Sequence, residues 1–215
     1  ISSWYGPVWT LISAALAWIG RDNLGWTVLL FRATASAAAL ATAGLILACL
    51  RRTAPERAAQ GVVFFLWNPL LLLETGLSGH NDPIMLGFVL LAVWLHLRGW
   101  RVPAILCLVL SALVKFLTGF LAPLYGLMIL RQLPDWRRRL SFAAASAVSS
   151  LVLCVAVFMA ARIDADLPAA RSATAPDFYS NNFHELIFKR LRRWLGEDED
   201  AVRESIYFEI GRAHV

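Results

Sequence analysis

Long apolar runs separated by short clusters of arginine dominate this sequence and restrict the folds that it can adopt. The clearest run, WTVLLFRATASAAALATAGLILACL at Trp26–Leu50, has about 25 residues, enough to cross a hydrocarbon core of ~30 Å with some tilt. Of the 215 residues, 59% are hydrophobic and 16% are charged, whereas a soluble domain is about half apolar and about a quarter charged. We therefore interpret the chain as an integral membrane protein.

The succession of apolar runs predicts an all-α fold, a polytopic membrane helical bundle with broken or short helices, in one domain over residues 1–208. The predicted spans are residues 26–50, 60–75, 83–97, 102–114, 116–130 and 140–160. The run Pro7–Ile19 is too short to span, and the tryptophans in and beside it suit a membrane interface. We expect it to form a juxtamembrane helix on the outer side.

Arginine clusters predict the orientation, because positive charges are enriched on the cytoplasmic side of membrane helices. The clusters are Arg51, Arg52 and Arg57, then Arg98 and Arg101, then Arg131 and Arg137–Arg139. The net charge of +5 is therefore read first as a topology signal. We expect membrane lipids as partners and no nucleic acid, in a multi-pass protein of the bacterial plasma (inner) membrane.

The apolar stretch at residues 102–130 allows two interpretations. One continuous helix would put Arg131 outside, whereas two short arms, 102–114 and 116–130, would keep it inside. We favour two arms with Lys115 near the outer turn, because broken helices are tolerated where they line an enclosed or water-filled cavity.

The two ends of the chain carry separate expectations. The sequence starts without Met, so we expect an internal fragment, and IGRAHV at residues 210–215 matches a translated sequencing adapter, which we exclude from the fold. Residues 161–208 should form an external loop. Its segment FHELIFKRLRRWL has a basic cluster at residues 189–193 and reads as an amphipathic interfacial helix, although such helices are more usual inside.

No pattern for a metal or a nucleophilic centre occurs in the chain. Cys49, Cys107 and Cys154 lie within apolar stretches without a CxxC or Cys/His spacing, so we predict neither a disulfide nor a metal site. The sequence also lacks a Ser/His/Asp arrangement, a P-loop, a Rossmann glycine pattern and HExxH.

Ionisable residues at membrane depth are costly and are the candidates for function. Lys115 is flanked by ALV and FLTGF, and a lysine there suits a phosphate, the alternative being a lysine that snorkels at a helix end. Arg32 lies about two turns into its helix and either snorkels or reaches the same phosphate. Glu74 either pairs with Lys115 or Arg32 or faces water.

The stretch LSGHNDPIMLG places three polar residues directly before Pro83. Asn81 or Asp82 could cap the helix that starts there, a structural role as well supported for Asp82 as a functional one. Capping does not require His80, and a helix start also offers backbone N–H groups to an anion. The group suits a ligand with hydroxyls and phosphate.

Three segments in this order carry a resemblance to a known family. They are WYGPVWTLISAAL, FFLWNPLLLLETGLSGHNDPIMLGFVLLAVWL and LSALVKFLTGFLAPLYGL, and YSNNFHELI further along is also similar. The chain resembles the bacterial GT-C glycosyltransferases that depend on polyprenol-phosphate-mannose, including the α-1,6-mannosyltransferases of actinobacterial cell envelopes. The resemblance covers most of the chain from Trp4 to about Phe188, and its motifs do not specify the sugar.

The resemblance implies a polyprenyl-phosphate-sugar donor, a lipid-linked or cell-envelope glycan acceptor, and transfer with inversion at the outer face. It implies donor phosphate or sugar contacts at Lys115, His80, Asn81, Asp82 and Arg32. Tyr5 would line the lipid or sugar entry, or serve only as an interface aromatic.

In that family the base is an aspartate in an external loop upstream of YGP, with a divalent metal in some full-length members. We therefore expect the catalytic acid upstream of Ile1, and assign no catalytic residue and no cofactor within the chain.

Two other classes of membrane protein compete with a transferase. A secondary transporter would explain broken helices and buried charges, but the polar residues gather at one face and no inverted repeat is evident. A non-catalytic membrane subunit would not need His80 and Lys115 where they occur.

Overall fold

A computed structural model describes residues 5–21 and 23–165, with side chains described up to residue 161. This part of the chain contains helices and no strand, which confirms the all-α prediction. The helices are α1 Pro7–Gly20, α2 Leu24–Thr53, α3 Ala58–Leu66, α4 Pro69–Leu73, α5 Asp82–Leu97, α6 Arg101–Val114, α7 Leu121–Gln132 and α8 Trp136–Ala165. The predicted basic segment at 189–193 and the tail at 210–215 lie outside the described residues, as does most of the predicted loop at 161–208.

Helix α2 packs against α5 and contains several small buried residues. Ala35, Ala39 and Ala43 are among them. The Thr42 hydroxyl lies 2.8 Å from the Ala38 carbonyl of its own turn and 3.2 Å from the Pro83 carbonyl of α5. The buried Thr42 hydroxyl therefore has hydrogen-bond acceptors on both helices, although the surrounding contact is apolar.

The stretch between α3 and α5 is broken, so the predicted span 60–75 is not one continuous helix. The two halves, Pro55–Leu66 and Pro69–Ser78, are bent by 49° at their junction. Pro69 begins the second half, and the Asn68 side chain caps it by accepting from the Leu70 N–H at 3.0 Å. The bend is explained by Pro69, because proline interrupts the backbone hydrogen bonding of a helix. The second half ends in a π-helical turn, Glu74–Ser78, followed by Gly79 in the left-handed region (φ 63°).

Helix α6 ends at Val114, and the chain turns back beside it as α7. Lys115 is extended (φ −147°, ψ 120°) and is followed by one 3₁₀ turn, Phe116–Thr118. Ile129 of α7 is fully buried in a cluster with Ile105 of α6. The broken helix that the sequence predicts is therefore present, with Lys115 at the break.

Helix length allows fewer membrane spans than the six predicted. Among the described residues, α2 and α8 (as Trp136–Ala161) are long and apolar enough to cross, and the bent pair would make a third span. The other apolar helices have 10–17 residues. The 16 residues of α5 rise only about 24 Å, less than the ~30 Å hydrocarbon core. The multi-pass topology stays a prediction.

Large apolar side chains lie on the surface of several helices, as expected of a membrane protein. Along α8 they include Leu140, Val148, Leu151, Val152 and Val155, each more than half exposed. A continuous apolar surface of this kind is unusual in a soluble monomer. It supports the assignment of the chain to the membrane.

The polar groups of the described bundle separate into two ends. At one end, here called the arginine end, Arg52 Nη1 donates to the Leu97 carbonyl at 3.0 Å, and Arg98 stacks on Trp94. Nearby, His96 Nδ1 lies 3.0 Å from the Tyr125 hydroxyl. The opposite end, here called the Lys115 end, is where α5 begins and α6 stops.

The start of α1 is fixed to the Lys115 end through Gly6. Its N–H donates to the Val114 carbonyl at 3.0 Å, so it satisfies one of the carbonyls that the end of α6 leaves free. A Cβ added to Gly6 would lie 1.9 Å from the Leu113 carbonyl oxygen. Only glycine fits there, which explains the glycine of the YGP motif.

We expect Gly6→Ala to lower the stability of the full-length protein by about 1–3 kcal/mol, the usual cost of overpacking, because backbone atoms must move. The measurement is thermal unfolding in detergent. Gly44→Ala is the matched control: no atom lies within 4 Å of its added Cβ, so it should be neutral or stabilising by up to about 1 kcal/mol. Equal stability of the two variants would contradict the packing of Gly6 on α6.

Candidate functional site

Four parts of the chain meet at the Lys115 end. The YGP segment contributes Tyr5, the bent pair contributes Glu74, the start of α5 contributes His80 and Asp82, and the break after α6 contributes Lys115. Their side chains form a continuous cluster of charged and aromatic groups, here called the Lys115 cluster.

The Lys115–Asp82 ion pair is the shortest polar contact of the cluster. Lys115 Nζ donates to Asp82 Oδ1 at 2.6 Å, and the two side chains are 29% and 36% exposed. Because the pair is only partly buried, its ammonium and carboxylate keep contact with the outside of the bundle. The pair joins the end of α6 to the first turn of α5.

Two buried hydroxyls hold the backbone around Lys115. Ser111 Oγ donates to the Met85 carbonyl of α5 at 3.0 Å and lies 2.9 Å from Thr118 Oγ1. Thr118 Oγ1 is also 3.3 Å from the Lys115 carbonyl, and the Lys115 N–H donates to the Ser111 carbonyl at 3.0 Å. Neither hydroxyl was predicted from the sequence. A serine and a threonine on either side of a lysine in an apolar run were the available signal.

His80 lies at the centre of the cluster. Its Nδ1 is 3.5 Å from Asp82 Oδ2, and its Nε2 is 3.9 Å from Glu74 Oε2. The Tyr5 ring meets the imidazole edge-on, with 6.5 Å between ring centroids. The structure therefore brings Tyr5, His80, Asp82 and Lys115 together.

Asn81 is adjacent to this cluster but is buried, with 1% of its surface exposed. Neither its amide nitrogen nor its amide oxygen has a hydrogen-bond partner among the described residues. Of the two alternatives for Asn81 and Asp82, capping is not seen, because neither side chain makes a hydrogen bond to the start of α5. The Asp82 carboxylate is instead paired with Lys115.

The start of α5 offers few free N–H groups to an anion. The Ile84 and Met85 N–H groups both donate to the Asn81 carbonyl, and Pro83 has no N–H. An anion at this end would therefore depend on side-chain cations more than on the helix terminus.

Glu74 and Arg32 do not pair with each other or with Lys115. Glu74 faces His80 instead. Arg32 is exposed, and its Nε donates to the Leu77 carbonyl at 3.1 Å, in the turn that leads to His80. Arg32 thus borders the cluster from α2 without an acidic partner among the described residues.

Comparison with known proteins gives a match that includes the segments of this cluster. Residues 2–131 match the family model described as alpha-(1->6)-mannopyranosyltransferase, N-terminal domain. The chain belongs to this family. All the residues of the Lys115 cluster, together with Asn81 and Arg32, lie within the matched range.

One curated relative is alpha-(1->6)-mannopyranosyltransferase B of Corynebacterium glutamicum, which is 37% identical over 97 residues. The aligned region covers 44% of this chain and 16% of the relative, so the match spans less than a fifth of that protein. No solved structure gives a significant match to the chain.

The chemistry open to this family member follows from the side chains present. The ammonium of Lys115 and the guanidinium of Arg32 suit a phosphate, and carboxylate and amide groups suit sugar hydroxyls. No group of three or more His, Cys, Asp or Glu that could hold a metal ion occurs in residues 5–21 and 23–165.

We expect Asn81→Leu to stabilise the full-length protein or leave its stability unchanged, while lowering its activity. A buried amide without partners costs about 1–3 kcal/mol, and leucine keeps the branching of asparagine at Cγ without that cost. Thermal unfolding and mannosyl transfer should be measured on the same preparation. A clear loss of stability would mean that the amide has a structural partner, and unchanged activity would remove Asn81 from the site.

Proposed function

We propose that the chain is part of a membrane mannosyltransferase. The enzyme would move mannose from a polyprenyl-phosphate donor to a lipid-linked or cell-envelope glycan acceptor at the outer face of the bacterial plasma membrane. The observation that carries the proposal is the Lys115 cluster, which gathers the YGP, GHND and VK motifs of a mannopyranosyltransferase family at one end of the helices.

A cation at the departing phosphate is the first requirement of such a transfer, because negative charge develops there as the bond to the sugar breaks. Lys115 Nζ carries three hydrogens, and one of them is directed at Asp82. The others are available to phosphate oxygens. Arg32 supplies a second cation, and its contact with the Leu77 carbonyl holds it beside the turn before His80.

A polyprenyl donor also needs an apolar surface next to its phosphate site. The residues that follow Lys115 provide one, since Phe116, Leu117 and Phe120 are each more than half exposed. A cation bordered by apolar side chains matches an amphiphile with an anionic head. This placement at a helix end also keeps the sugar near the membrane surface, where a glycan acceptor can reach it.

The sugar itself would meet His80, Asn81 and Asp82, with Tyr5 at the entry. Hydroxyl groups can donate to the carboxylate and the amide oxygen and accept from the imidazole or the amide nitrogen. Asn81 is the strongest candidate among them for a polar ligand, because both of its amide atoms lack partners.

No catalytic base is assigned within the described residues. The acceptor hydroxyl must lose a proton, so a base is required. Asp82 is engaged by Lys115, which argues against a free role as a base. We propose that an acidic residue outside the described residues serves as the base, and that a divalent metal assists it in the whole enzyme.

Lys115→Ala in the full-length enzyme should lower kcat/KM for polyprenyl-phosphate-mannose by about 10- to 100-fold, the range of a hydrogen bond to a charged group. Lys115→Arg should keep part of the activity because the charge is kept. The assay is transfer of labelled mannose in reconstituted vesicles.

Arg138→Ala is the control for Lys115→Ala. The Arg138 side chain is 69% exposed and pairs with Asp135 away from the Lys115 cluster, so transfer should be unchanged. Wild-type transfer by Lys115→Ala would reject Lys115 as the phosphate ligand. Equal losses in both variants would point to a general effect of positive charge.

A further inference from the structure

Glu74 contacts His80 of the proposed donor site, and this contact was not predicted from the sequence. Its backbone carbonyl accepts from the His80 N–H at 2.9 Å, which closes the turn between the bent pair and α5. Its side-chain Oε2 lies 3.9 Å from His80 Nε2. The same residue therefore approaches both the backbone and the ring of His80.

The ring of His80 has a carboxylate at each nitrogen edge. Asp82 faces Nδ1 and Glu74 faces Nε2, while Tyr5 meets the ring edge-on. Rotating the ring by about half a turn would bring C–H groups to both carboxylates in place of the nitrogens. Two carboxylates on opposite edges thus favour one ring orientation. Glu74 therefore adds to the orientation preference that Asp82 sets at the other edge of the ring.

The burial of Glu74 supports a specific role for its carboxylate. The side chain is 33% exposed, but Oε2 is buried and has no hydrogen bond among the described residues. A buried carboxylate oxygen without a hydrogen bond is unfavourable unless a nearby group compensates it. The His80 imidazole, whose Nε2 lies 3.9 Å away, can compensate this oxygen, so the two residues are interdependent.

We propose that Glu74 is a positioning residue that orients the His80 imidazole for contact with the sugar-phosphate donor. The inference rests on the proposed function, because it gives His80 a ligand to meet. Glu74 does not itself contact the donor. It acts through His80, and the turn Glu74–Ser78 places it there; π-helical turns of this kind are frequent at functional sites.

The test is a double-variant cycle in the full-length enzyme, with Glu74→Gln, His80→Ala and the two combined. Glu74→Gln keeps the shape but removes the charge. It should raise the donor KM by about 3- to 10-fold and change kcat by less than about 2-fold. Combined with His80→Ala, it should add no further penalty, because its effect passes through the ring. Glu74→Asp, which keeps the charge, should recover part of the KM.

Glu56→Gln is the matched control, since the Glu56 side chain is 69% exposed, lies on the turn after α2, and meets only Arg57 at 4.0 Å among the described residues. It should leave KM and kcat unchanged. A merely structural role for Glu74 would reduce the amount of folded enzyme without changing the KM of what remains folded. That pattern, or penalties that add in the combined variant, would overturn the inference.

The same experiment separates this inference from the proposed function. If His80→Ala and Lys115→Ala raise the donor KM while Glu74→Gln leaves it unchanged, the positioning role is wrong and the donor site stands. If neither His80→Ala nor Lys115→Ala affects transfer, both the proposed donor site and the positioning role of Glu74 are wrong.

Discussion

The ion pair between Lys115 and Asp82 is the contact on which the rest of the Lys115 end depends. It joins a helix that stops to a helix that starts, with 2.6 Å between Nζ and Oδ1. Removing either partner would leave the other charge partly buried beside apolar helices, which costs more than the pair itself contributes. The buried hydroxyl of Ser111 holds the same two helices together one turn below, so the charged pair and the hydrogen bonds reinforce each other.

Helix breaks are what allow polar groups to collect in so apolar a chain. A continuous helix satisfies its own backbone, whereas each break frees N–H and C=O groups that must find partners. Here the freed carbonyl of Val114 is met by Gly6, and the turn after Glu74 closes on His80. Breaks at Asn68 and Lys115 thus place side chains, as well as backbone, at one end of the bundle. Arg52 and Arg98 lie at the other end, whereas Arg32 stays beside the Lys115 cluster.

The sequence predicted the positions of the helices and breaks better than the contacts between them. The break at Lys115 was predicted because a charge in an apolar run is a local signal, whereas residues 60–75 were predicted as one span and are bent. The partners of Glu74 and Asp82 were not predictable in this way. A carboxylate near a helix start is equally suited to capping or to an ion pair. Only the packing of the neighbouring helices determines which of the two it makes. The burial of Asn81 is likewise set by how α5 packs between α2 and α6, which no local pattern reveals.

Photo-crosslinking can show whether the donor phosphate binds at the Lys115 end. A polyprenyl-phosphate-mannose carrying a diazirine next to the phosphate would be irradiated with the full-length enzyme in vesicles, and the labelled peptides mapped by mass spectrometry. We expect labels within residues 74–82 and 113–120. An excess of unlabelled donor should reduce this labelling. Competed labelling confined to the arginine end, around residues 94–101 and 125–132, would contradict it.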